Sequence, residues 1–160
     1  MVKPLTDSNY GSKYRHIKTE QTEDDRINKP AIVDSRAQLK RILVVDDNSD
    51  IAFTLRLGLE NADSTMQVYS YDNPVKALAD FEPNFYDLLL LDVNMPMMNG
   101  FELCQKLLQK DINVKVCFMT SGELNMDAVR EVHPLNSIGC FIKKPIATSE
   151  LVRRIKMELE

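Results

Sequence analysis

From Lys40 onward, short apolar runs alternate with amphipathic stretches of helical length, and no other feature of the 160-residue chain restricts its fold so strongly. The runs 41–46, 66–70, 86–91, 114–120 and 140–142 are of ordinary strand length and too short for buried helices. Alternation of this kind predicts an α/β fold built on a parallel sheet. Between the runs, Asn48 or Ser49 can cap a first helix, Asn73 followed by Pro74 has the order of a cap and a first-turn proline, and Gly100 opens a third. The last helix begins near Thr148 with Thr-x-Glu polarity, and Leu151, Ile155 and Leu159 share one face. Five β/α units use residues 39–160 completely and predict a doubly wound sheet.

The first 38 residues differ, mixing Lys, Asp, Glu, Thr, Asn and Ser with apolar side chains that keep neither a helical nor a strand period. Tyr10, Tyr14, Ile17, Ile32 and Val33 are too few to offset backbone ordering at about 1–2 kcal/mol per residue. Residues 1–38 therefore read as a flexible tail, with 31–39 able to begin a short helix. That tail holds 7 Lys and Arg against 6 Asp and Glu, so the net charge of −4 leaves −5 in the remainder. Neither part is polybasic, which argues against direct nucleic-acid binding. The apolar runs fall far short of the roughly 20 residues that span a bilayer. Residues 1–10 lack the pattern of a signal peptide, so no membrane insertion and a cytoplasmic location are expected. Cys104, Cys117 and Cys140 form no C-x-x-C pair and are odd in number, which predicts buried free thiols in a reducing compartment. His16 and His133 leave too few ligands for a zinc site.

Chemistry concentrates where the apolar runs end. The first stops at Asp46-Asp47, the third at Asp92 and the fourth at Thr120-Ser121, while the fifth is followed by Lys143-Lys144-Pro145. In an open parallel sheet the carboxyl ends of the strands share one edge, and ligands bind where strand order reverses. If the order is 2-1-3-4-5, three carboxylates converge there beside a hydroxyl and an ammonium. Two like charges about 4 Å apart repel by roughly 4 kcal/mol at an effective dielectric of 20, which a cation would relieve. Oxygen ligands without His or Cys suit a hard ion, and a site that keeps waters for a phosphate oxygen suits Mg²⁺. A carboxylate beside Mg²⁺, with Lys144 to neutralise phosphoryl oxygens and Thr120 to donate a hydrogen bond, has the parts for phosphoryl transfer.

At these residues the chain closely resembles the receiver domain of two-component response regulators, over about residues 40–158. Ile42-Leu43-Val44-Val45-Asp46-Asp47 resembles the acidic first strand of that family. Asp87-Leu88-Leu89-Leu90-Leu91-Asp92-Val93-Asn94-Met95-Pro96, continued by Met98-Asn99-Gly100, is similar to the phosphoacceptor strand and its loop. Cys117-Phe118-Met119-Thr120-Ser121 resembles the strand that ends in the switch hydroxyl, and Gly139-Cys140-Phe141-Ile142-Lys143-Lys144-Pro145 the final strand. The resemblance implies a flavodoxin-like fold, with five parallel strands in the order 2-1-3-4-5 and five helices. It makes Asp92 the phosphorylated residue and Asp46, Asp47 and Asp92 the Mg²⁺ ligands, with the backbone carbonyl of Asn94. Thr120 and Phe141 become the switch pair, and Lys144 the lysine that pairs with the phosphate, followed by a cis proline bond. Switching is implied as Thr120 drawn to the aspartyl phosphate, the Phe141 ring filling the vacated space, and a remodelled face of the fourth helix, fifth strand and fifth helix.

The implied partners are a histidine kinase or histidine phosphotransfer protein and a downstream protein target, with the chain a monomer or a phosphorylation-dependent dimer. Because no output domain follows the last helix before Glu160, a stand-alone regulator that signals by contact is expected, rather than an enzyme. Ser121, where alanine is usual, Met97, Gly122 and a phenylalanine in place of the common tyrosine at 141 depart from the family pattern. Two alternatives differ in class. A Mg²⁺-dependent phosphohydrolase of the haloacid-dehalogenase type needs a second acid two residues after its nucleophile, where this chain has Asn94. A degenerate receiver that acts only as an interaction module is opposed by the complete set Asp46, Asp47, Asp92, Thr120 and Lys144.

Overall fold

The computed structural model describes residues 38–123 and 138–160. In chain order the elements are β1 (Lys40–Val45), α1 (Ser49–Ala62), β2 (Met66–Tyr71), α2 (Pro74–Ala79), β3 (Leu88–Asp92), α3 (Gly100–Lys110), β4 (Lys115–Thr120), β5 (Ile138–Lys143) and α4 (Thr148–Leu159). All strand pairs are parallel and the sheet order is β2-β1-β3-β4-β5, as the resemblance implies. The helix expected as the fourth of five, and the face it contributes to, involve residues 124–137, which lie outside the described ones. Residues 1–37 of the expected tail also lie outside them.

The strand runs are continuously apolar because helices cover both faces of the sheet. Leu43, Val45, Leu89, Leu91, Val116 and Phe118 point to one side, against Ala77 of α2 and Leu103, Cys104 and Leu107 of α3. The alternate residues Ile42, Val44, Leu88, Leu90, Cys117 and Met119 meet Leu59 of α1 and Leu151, Val152 and Ile155 of α4. Leu90 is fully buried, and truncating a leucine of this kind to alanine costs about 2–5 kcal/mol. Expected Leu159 packs at the margin of the same cluster.

Caps set where the helices start. Asn48, rather than Ser49, caps α1 by accepting from the N–H groups of Asp50 and Ile51. Asn73 does the same for α2, with Pro74 in the first turn. Asn99 caps α3 in a reciprocal box, accepting from Glu102 N–H at 2.9 Å while the Glu102 carboxylate accepts from Asn99 N–H at 3.1 Å. Helix α4 begins after Ala147 with no side-chain cap; its Glu150 instead binds Arg153 and Arg154. β3 starts at Leu88, later than the apolar run, because Tyr86 turns into an aromatic group with Tyr69, Phe81 and Phe85.

The cysteines require a correction. Cys104 is a buried free thiol as expected, but Cys117 and Cys140 are joined as a disulfide. Their Cα atoms are 4.6 Å apart although 23 residues separate them in the chain. A register shift sets Val116 opposite Ile138 and Cys117 opposite Cys140, so Gly139 is the additional residue of a bulge. Spacing along the chain could not reveal this alignment, and with two of the three cysteines paired the thiols do not indicate a reducing compartment. Among the described residues no helix is long and apolar enough to cross a membrane.

Candidate functional site

The pairing of β1 with β3 brings the ends of these two strands side by side, with Val45 opposite Leu91. Asp46 follows β1 directly and Asp92 ends β3, so both carboxylates emerge at the reversal point of the sheet. Asp46 is 1% and Asp92 4% exposed, whereas Asp47 lies in solvent at the rim. One carboxylate oxygen from each of the three lies within 4.8 Å of the others. The pairing of β4 with β5 delivers the counter-charge: Thr120 is opposite Lys143, and Lys144 N–H donates to Thr120 O at 2.8 Å. From there Lys144 Nζ reaches Asp46 Oδ2 at 2.8 Å and Asp92 Oδ1 at 2.9 Å. The Lys144–Pro145 bond is cis.

The electrostatics follow from this crowding. Burial raises the Asp92 acid above the ordinary carboxylate range; the Lys144 hydrogen bond and charge oppose that rise, and the charges of Asp46 and Asp47 add to it. For Lys144, burial acts to lower the value, but hydrogen bonds to Asp46 and Asp92 outweigh it and raise the ammonium above its ordinary range. One ammonium thus faces two buried carboxylates and a third at the rim. The donor set is oxygen only and partly uncompensated, which fits a hard divalent cation such as Mg²⁺.

The other expected residues sit around this core. Thr120 is buried at the end of β4, its Oγ1 accepting from Gly122 N–H at 3.1 Å. Asn94 is exposed, two residues beyond Asp92. Phe141 is not in the acidic cluster: its half-buried ring stacks on Phe118, with centroids 5.4 Å apart. Arg154 Nη1 donates to the Phe141 carbonyl at 3.1 Å, tying β5 to α4 at this residue.

Three supporting features escaped the sequence reading. Asn48 N–H donates to Asp46 Oδ1 at 3.0 Å, so the residue that caps α1 also aims the first carboxylate. A Cβ at Gly100 would fall on the Asp92 carbonyl oxygen, so glycine lets α3 start directly against the end of β3. Gly100 N–H donates to Val93 O at 3.0 Å in the same approach. The loop between them makes a tight turn closed by Met98 N–H to Pro96 O at 2.8 Å, with Met97 at φ 66° and exposed. Asn99-x-x-Glu102 was a readable signal for the helix start; the contacts to Asp46 and Asp92 had none, because they join residues through the backbone.

Comparison with known proteins agrees with the geometry. Residues 42–156 match the response regulator receiver domain family. The transcriptional regulatory protein PrrA of Mycobacterium tuberculosis is 31% identical over 124 residues, covering 78% of this chain and 52% of that protein. The regulatory protein VanR of Enterococcus faecium is 31% identical over 121 residues, covering 74% and 49%. The chain therefore spans about half the length of the curated relatives it matches. Among solved structures, a CheY-like receiver domain protein of Methanospirillum hungatei is 30% identical with a TM-score of 0.64, covering 76% of this chain and 94% of the other. The non-phosphorylated HemR receiver domain of Leptospira biflexa is 27% identical with a TM-score of 0.66 and the same coverage. The chain belongs to the response regulator receiver domain family of two-component systems.

Proposed function

We propose that residues 39–160 act as a phosphoacceptor: Asp92 takes a phosphoryl group from the phosphohistidine of a histidine kinase or histidine phosphotransfer protein, and the altered domain signals through protein contact. The observation that carries this reading is the bridge that Lys144 makes between the buried carboxylates of Asp46 and Asp92, with Asp47 at its rim. In the transfer a carboxylate oxygen of Asp92 forms the bond to phosphorus. The bond from phosphorus to the donor imidazole nitrogen breaks, and the imidazole leaves with the electron pair. Lys144 turns its ammonium to the arriving phosphoryl oxygens, and Thr120 Oγ1 donates to one of them while still accepting from Gly122 N–H. Mg²⁺, held by Asp46, Asp47, Asp92 and the Asn94 carbonyl, would neutralise developing charge on the phosphoryl group.

Positioning and neutralisation are the main demands of phosphoryl transfer, and both are met by side chains fixed at strand ends. Thr120 drawn toward the phosphoryl group leaves space for the Phe141 ring, which shifts a two-state balance within one fold. Intact mass after incubation with a small phosphodonor tests the reading, with and without Mg²⁺, on wild type and Asp92→Asn. A Mg²⁺-dependent adduct confined to wild type is expected. An adduct that persists in Asp92→Asn overturns the site, and absence of both adduct and Mg²⁺ binding points to an interaction module instead. Multiple turnover of a phosphate ester would point to a hydrolase.

A further inference from the structure

The disulfide occupies a position that the phosphoacceptor reading does not use. Cys117 lies three residues before Thr120 on β4, and Cys140 immediately precedes Phe141 on β5. The bulge at Gly139 that aligns Cys117 with Cys140 also sets Phe118 opposite Phe141 and Met119 opposite Ile142. One device of backbone register thus places both the cystine and the ring proposed to switch. The cystine lies on the α1 and α4 side of the sheet and Phe141 on the other, so the cross-link holds the backbone beneath the ring.

We propose that Cys117 and Cys140 form a redox modification site, and that its disulfide weakens the coupling between Asp92 and Phe141 by holding β4 and β5 in one register. This coupling rests on the reading of Asp92, Thr120 and Phe141 given above. Cys117 is fully buried and Cys140 only partly, so exchange begins at Cys140. In oxidation the Cys140 thiolate attacks a low-molecular-weight disulfide, forming a mixed disulfide and releasing one small thiol. The Cys117 thiolate then attacks Cys140 Sγ and displaces the second small thiol. The two cysteine protons and two electrons end on the two released thiols. In reduction a small thiolate attacks Cys140 Sγ and Cys117 leaves, taking up a proton. A second small thiolate then attacks the small-molecule sulfur of the mixed disulfide, releasing Cys140 as the thiol and the low-molecular-weight disulfide, which carries away the two-electron oxidation. Cys104 stays outside this chemistry, since burial pushes its thiol up to about 12.

The device is readable as a binding coupling, because a restraint on β5 must alter affinity for any ligand that favours the switched state, and the effect is reciprocal. The experiment titrates beryllofluoride, a phosphoryl mimic, into the full chain with saturating Mg²⁺ after equilibration in oxidised or reduced glutathione. Alkylation followed by intact mass counts the thiols in each sample. One free thiol in the oxidised chain and three in the reduced one are expected, with beryllofluoride binding about fivefold or more weaker in the oxidised form. Cys140→Ser and Cys140→Ala should bind like the reduced chain in both buffers. Three free thiols in oxidised glutathione, or equal affinities in the two states, overturn the proposal. Loss of beryllofluoride binding in both states, with the thiol counts still changing, overturns the Asp92 reading and takes the coupling with it.

Discussion

Asp111 at the amino edge of the sheet is nearly as buried as Asp92 at the carboxyl edge, 6% against 4% exposed, yet the two are surrounded in opposite ways. Asp111 Oδ2 accepts from Asn84 N–H at 2.8 Å and its Oδ1 from Asn113 N–H at 3.1 Å. At the same edge Asp87 accepts from Arg41 N–H at 2.7 Å, and Asp63 accepts from Thr65 and pairs with Lys156 at 2.6 Å. Each of these acids has donors of its own. Asp92 shares one lysine with a second buried carboxylate and stands near a third. A buried carboxylate with its own donors stabilises a turn, while buried carboxylates that crowd each other leave charge for a ligand to neutralise. Both edges follow from the same strand ends, and only the second is chemically unfinished.

The largest effect should come from removing the shared cation. Lys144→Met leaves Asp46 and Asp92 facing each other, and should cost about 2–3 kcal/mol in EDTA, below the value for a wholly buried pair because the lysine is partly exposed. Mg²⁺ should then recover more stability in this variant than in wild type, since it binds the folded site alone. Urea unfolding with and without Mg²⁺ measures both quantities, and equal Mg²⁺ gains in the two proteins would break the contrast between the edges.

Next in size is Asp111→Ala, which strands the N–H groups of Asn84 and Asn113 and should cost about 1–3 kcal/mol. Phosphodonor uptake at Asp92 should be unchanged below the unfolding transition. A fall in uptake rate for the folded variant would mean that the amino edge is not purely structural.

Asp63 and Asp92 should also give opposite pH signatures. The Asp63 acid lies below its ordinary value because Lys156 and Thr65 donate to it. Its stabilisation is present in full above about pH 4 and is lost as pH falls toward the lowered value. The Asp92 acid lies above its ordinary value, chiefly through burial, so its charged form opposes folding, and that cost grows as pH rises from about 4 through the raised value. In EDTA, Asp63→Asn should be less stable than wild type at neutral pH and Asp92→Asn more stable, with both differences shrinking in acid. Urea midpoints against pH check this, and differences of one sign for both variants would remove the distinction.

The smallest effect belongs to the exposed face of α4. Arg153 holds Glu150, whose acid is pushed down to about 2 by hydrogen bonds from Arg153 and Arg154. In solvent such a pair contributes little, so Arg153→Ala should leave the urea midpoint unchanged within error.

Much of the site was legible because strand ends in a parallel sheet share an edge, so Asp46, Asp92, Thr120 and Lys144 could be placed together once their apolar runs were identified as strands. What escaped was set by contacts between strands and by the backbone. The sequence does not distinguish Asp46 from Asp47, yet one is buried against Lys144 and the other lies in solvent, because the Asp46 backbone is still tied to the sheet, its N–H donating to Tyr71 O at 3.1 Å, and Asp47 lies beyond it. Ser49 and Asn48 were equal candidates for the first cap until the turn after Asp46 put Asn48 in place.

By itself, then, the order of residues determined the α/β class, the apolar faces and the list of groups at the carboxyl edge, since these depend on periodicity and on strand termini. Only the tertiary structure decided which carboxylates Lys144 bridges, that Gly100 must lack a side chain, and that Cys117 meets Cys140. The reason is physical: each of these depends on the register between strands or on the approach of one backbone to another. A single inserted residue at Gly139 is enough to change which side chains face each other across β4 and β5.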